Sequence, residues 1–148
     1  MKIIKGTKQL QRASYSITFT GAAGFGLAAD VITAFTTTGE VLIASIVPYT
    51  VQTLTQSLGT PTLALGVTNS NALFIAATTA TTLATGEFWT ESTGGGTANA
   101  GIALPAALKD IVITSSVILT VGGTNNINGG VLRIDCYWLP LSSDGLLA

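Results

Sequence analysis

The chain has 148 residues, only 9% of them charged, and a net charge of −1, so it has few solvating groups and no strong field for steering a polyanion. That length suits one core of ordinary size, and a single domain is expected. A single cysteine, Cys136, and no histidine exclude an intrachain disulfide and a zinc site of Cys/His type built from one chain.

The chain opens with MKIIKGTKQLQR, in which Lys2, Lys5, Lys8 and Arg12 supply four of the six bases without an acid among them. No compact apolar run follows, so this is not read as a secretory leader, and synthesis in a cytoplasm is expected. We assign residues 1–14 to a basic N-terminal arm and 15–148 to the folded domain. Positions 13–148 hold two bases against seven acids, a balance of −5. A basic arm on an acidic body suits docking to an acidic surface. Direct nucleic-acid binding is not expected, because no aromatic residue interleaves the bases and the patch is small.

Threonine, at 24 residues, decides the secondary-structure class together with frequent Val and Ile, since β-branched side chains fit a pleated surface better than a helix. Strands are predicted at YSITFT (15–20), DVITAFT (30–36), VLIASIVPY (41–49) and TVQTLTQ (50–56). TLALGV (62–67) and NALFIAA (71–77), joined through Asn69, read as a hairpin. DIVITSSVILTV (110–121) and VLRIDCYWL (131–139), joined by GGTNNINGG, read as a second hairpin that closes the chain. In the last strand Leu132, Ile134, Cys136 and Trp138 should face one way, and Arg133, Asp135 and Tyr137 the other, with Pro140 ending it. Short strands with turn signals at close intervals, and no sustained helical period, indicate an all-β, single-domain antiparallel β-sandwich of jelly-roll type.

Residues 72–89, ALFIAATTATTLATGEFW, are nearly uncharged, but their apolar side chains are largely alanine and their flanks carry turn residues rather than basic anchors. They are read as a strand, a loop or single helical turn at 78–86, and the start of a short strand. ESTGGGTANAG (91–101) is the most loop-like segment.

Chemical constellations are weak. GAAGFG (21–26) has neither the spacing nor the lysine of a phosphate loop and reads as turn glycines. Glu87 and Glu91 flank Phe88 and Trp89, but on one strand they would stand about 13 Å apart, too far for a glycosidase pair. The serines have no histidine to act as base, and Cys136 falls on the apolar strand face. TNNING (124–129) and SSDG (142–145) lack the ligand spacing of a calcium loop. No catalytic residue, metal site or cofactor is expected.

From residue 15 onward the order SYSITFTG, DVITAFTTTGEVLIASIVPYTVQTL, TPTLALGVTNSNALFIAATTATTLATGEFW and DIVITSSVILTVGGTNNINGGVLRIDCYWLPLS resembles small β-sandwich proteins that decorate or cement the capsids of tailed bacteriophages. The shared features are an Ala/Thr crossover ending in G-E-x-W and a passage through N-x-x-x-G-G into an aromatic strand. The resemblance implies assembly rather than catalysis: a homotrimer on the outer surface of the capsid that binds the major capsid protein and stabilises the shell. Lys2, Lys5, Lys8 and Arg12 depart from the family pattern, and we read them as capsid-anchoring residues. A head-fibre or tail sandwich that binds carbohydrate or a host surface is the alternative, and it requires Trp89, Tyr137 or Trp138 to stand exposed as a stacking platform.

Overall fold

The computed structural model describes residues 9–96 and 101–148. Its strands are β1 (Gln11–Thr18), β2 (Val31–Phe35), β3 (Thr37–Thr38), β4 (Val41–Gln56), β5 (Thr62–Val67), β6 (Ser70–Thr79), β7 (Phe88–Glu91), β8 (Gly94–Gly96), β9 (Lys109–Ile113), β10 (Val117–Gly122), β11 (Ile127–Pro140) and β12 (Leu146–Leu147). Two three-residue 3-10 turns, Ala80–Thr82 and Ala106–Leu108, are the helical elements among the described residues. No helix there is long and apolar enough to cross a membrane.

Six strands form the first sheet, in the order β1-β11-β4-β7-β8 with β9 also paired to β4; four form the second, in the order β2-β10-β5-β6. The chain alternates between them, passing from β1 to β2, from β4 to β5, from β6 to β7 and from β10 to β11. Within the sheets β5 and β6 are joined as a hairpin through Thr68 and Asn69, as the sequence indicates, and β7 and β8 as a second through Ser92 and Thr93. Within the two sheets β1-β11-β4-β7 and β2-β10-β5-β6 are the interleaved four-strand sets of a jelly roll, so the expected all-β sandwich is the observed fold. A clasp of β3 and β12 closes one end.

Side-chain alternation positions the core. Along β11, Leu132, Ile134, Cys136 and Trp138 are buried, and they meet Leu119, Val121, Leu63 and Leu65 of the second sheet in one cluster. Each such side chain contributes about 1.5–3 kcal/mol on leaving water. Trp89 is fully buried, and its indole Nε1 donates to Thr78 Oγ1 at 2.9 Å, tying β7 to β6 across the two layers. Gly130 enters β11 at φ +104°, where a Cβ would stand 2.5 Å from the Thr53 carbonyl oxygen. Only glycine fits that approach.

Four sequence expectations change. Residues 41–56 are one strand, and Pro48 does not divide it. β9 pairs β4 over Val41–Ser45 and β7 meets it at Tyr49, so Pro48 lies where its missing N–H removes no rung from that side of β4. Residues 110–121 are two strands rather than one. They break at Thr114–Ser116, after which the chain leaves β4 and enters the second sheet. The closing pair is consequently not a hairpin: β10 and β11 lie in different layers, and GTNN (123–126) arches between them. Finally, β1 begins at Gln11, so residues 11–14, assigned above to the arm, belong to the first sheet.

Candidate functional site

The outward-facing residues of the first sheet form rows. Arg12 on β1 is opposite Tyr137 on β11, which is opposite Ser45 on β4, which is opposite Lys109 on β9. Paired residues share a face, and Tyr137 alternates with buried Cys136 and Trp138, so this row points away from the core. The next rows bring Ser14 beside Asp135 and Ser16 beside Arg133, with Tyr49 beyond Arg133 and Phe88 beyond Tyr49.

A bonded ladder runs across these rows. Arg12 Nη2 donates to Asp135 Oδ1 at 2.6 Å, and Arg133 Nε donates to Asp135 Oδ2 at 2.8 Å. The Arg133 guanidinium lies 5.1 Å from the Tyr49 ring centroid, a cation–π distance, and Tyr49 packs against Phe88 at 5.2 Å between centroids. Desolvation pushes the Asp135 carboxyl up, but hydrogen bonds from Arg12, Ser14 and Arg133, with the Arg133 charge, outweigh it and hold the group below the ordinary carboxylate range.

Of the four residues assigned to capsid anchoring, Arg12 is thus a strand residue engaged with Asp135, whereas Lys2, Lys5 and Lys8 lie outside the described residues. Arg133 and Asp135, which the strand alternation puts on one face, are bonded to each other. The register that places Arg12 and Lys109 on the same face was hidden in the sequence, because it depends on which strands become neighbours.

The remaining candidates are structural where they are described. In the GAAGFG loop, the N–H groups of Gly24, Gly26 and Leu27 all donate to Asp30 Oδ2, so the chain's own carboxylate fills the place an anion would take. Asn126 accepts from Ala28 N–H and donates to the Gly21 carbonyl, fastening that loop to the arch before β11. Ser142 donates to Asp144 at 2.6 Å and accepts from Glu40 N–H at 2.8 Å, which makes SSDG the clamp of a turn. Glu87 Oε2 accepts from Ala84 N–H, closing its own turn before β7 begins, so Glu87 and Glu91 do not share one strand face. Burial pushes the Cys136 thiol up to about 12, far from the thiolate that nucleophilic chemistry needs. Trp89 and Trp138 are 0% and 3% exposed, which removes both as stacking platforms; Tyr137, at 38%, alone of the three reaches the surface.

No protein-family model and no curated protein matches the sequence. The fold is similar to that of a chain in the solved capsid asymmetric unit of cyanophage Pam1, with a TM-score of 0.52 and 20% sequence identity over 95% of this chain and 92% of that one. At that identity the likeness shows a common architecture.

Proposed function

We propose that this chain is a structural protein of a phage virion, a decoration or cement protein that binds the major capsid protein on the outer surface of the shell and stabilises it, working as a homotrimer without catalytic activity. The observation that carries this reading is the likeness, over nearly the whole length of both chains, to a chain of a cyanophage capsid. The sequence resemblance to capsid-decorating sandwiches agrees with it. So does the physics: a sparsely charged sandwich gains by covering its faces against neighbours, and many repeated contacts on a shell give avidity without tight single-site binding. The carbohydrate-binding alternative has lost two of its three aromatic platforms.

The test is reconstitution. Shells of the cognate phage lacking this protein should bind the purified chain at saturable, symmetric positions and withstand heating better once occupied. Shells that stay bare at high protein concentration would overturn the proposal. Removing residues 1–8, which leaves β1 and Arg12 in place, is expected to lower occupancy and its sensitivity to salt. Equal occupancy by full-length and shortened protein would remove Lys2, Lys5 and Lys8 as anchors.

A further inference from the structure

The described charges are segregated. All three described bases, Arg12, Lys109 and Arg133, lie in the paired rows of the first sheet, and Asp135 is the acid in those rows, giving them a charge of +2. The other six acids, Asp30, Glu40, Glu87, Glu91, Asp110 and Asp144, lie off those rows and make no ion pair with a described base, although exposed Asp110 follows Lys109 on β9 and Glu91 ends β7. Asp30 and Glu87 spend their carboxylates on backbone N–H groups of their own loops.

Two of the rest share one projection. The turn before β4 and the turn after β11 are clasped together: Leu141 N–H donates to the Glu40 carbonyl at 2.9 Å, Ser142 bridges Glu40 and Asp144, and Gly39 packs against the Asp144 carboxylate. Glu40 and Asp144 are exposed on this knob, and so are Leu141 at 45% and Leu146 at 50%. The knob therefore offers two negative charges beside two apolar side chains.

We propose that the knob of one copy docks on the outer face of the first sheet of another. Glu40 and Asp144 would meet the Arg12, Lys109 and Arg133 side, and Leu141 and Leu146 would cover Tyr137. The occupant is a second copy of this chain because the chain itself presents both complements, +2 against −2, each with apolar surface at its centre. Arg and Tyr on one side and Leu on the other supply the anchor chemistry of an interface, while the charges fix its register. The contact is head to tail, joining two different surfaces, so repetition closes a ring or extends a chain. The inference rests on the reading of the protein as a self-associating structural component, and it names the interface.

Two full-length variants test it: Glu40→Lys with Asp144→Lys, which reverses the knob, and Arg12→Glu with Lys109→Glu, which reverses the face. Near-ultraviolet circular dichroism establishes that each is folded, and sedimentation equilibrium measures association. Wild-type protein should self-associate, more weakly as salt rises; each variant alone should associate at least about tenfold more weakly, and the two mixed should associate with one another. A wild type that stays monomeric at high concentration, a variant that associates like wild type, or a mixture no better than its components overturns the proposal. Shell binding is measured separately. Copies that pair in this way yet leave shells bare would refute the capsid reading and leave this interface standing.

Discussion

The two sheets share one core but face outward with different chemistry. On the first, Arg12, Lys109, Arg133 and Asp135 lie among Tyr49, Phe88 and Tyr137. On the second, no residue of β2, β10, β5 or β6 is charged, and the outer positions are filled by Val31, Thr33, Thr120, Ala64 and Thr62. Both sheets fold against the same apolar interior, so the outer ions are not what holds the sandwich together. Stability resides between the layers, and the charges on the first sheet are free to serve recognition.

The sharpest test of that division is to hollow the core beneath each sheet in turn. Leu132→Ala under the first and Leu119→Ala under the second, both at 0% exposure, should each cost about 2–5 kcal/mol in denaturant unfolding. A large loss under one sheet and a small one under the other would break the picture of a shared core. Gly130→Ala forces a Cβ onto the Thr53 carbonyl at a left-handed φ and should cost about 1–3 kcal/mol by the same measurement. Thr50 is 0% exposed, and its hydroxyl has no hydrogen-bond partner in the core. Thr50→Val keeps the shape and removes the orphan, so the midpoint of unfolding should rise, by up to about 1 kcal/mol.

The smallest effect belongs to the outer ladder. Asp135→Asn should cost less than about 1 kcal/mol, because both arginine partners are well exposed to water. The folded state holds the Asp135 carboxyl low, so its contribution is present above the unfolded value of about 4 and disappears as pH falls through the lower folded value. Wild type should therefore lose part of its advantage over Asp135→Asn in acid. A gap that widens in acid would contradict the assignment.

Local signals carried much of this architecture. The in–out alternation of β11 was plain because a period-two run with Leu132, Ile134, Cys136 and Trp138 on one side has a single way to bury itself. The β5–β6 hairpin was marked by Asn69 in its turn. The closing hairpin misled because a glycine- and asparagine-rich link reverses the chain equally well within a sheet or between two sheets, and only the burial of both flanking strands in opposite layers decides. Thr114–Ser116 concealed the break between β9 and β10, since threonine and serine suit a strand as well as a bend. The charged face was the least legible feature: Arg12 and Asp135 are 123 positions apart, and nothing local brings them together.

The pairing of β1 with β11 also governs the order in which the protein can be built. Gln11 is aligned with Trp138, and β4 waits for the same strand along most of its length. During synthesis both must emerge and remain without their main partner until β11 leaves the ribosome. The second sheet, by contrast, can pair β2, β5, β6 and β10 earlier. Folding should accordingly be slow for the size of the chain, dominated by a late closure step that joins sequence-distant ends. A nascent chain arrested just after β10 would present two bare strands to its neighbours.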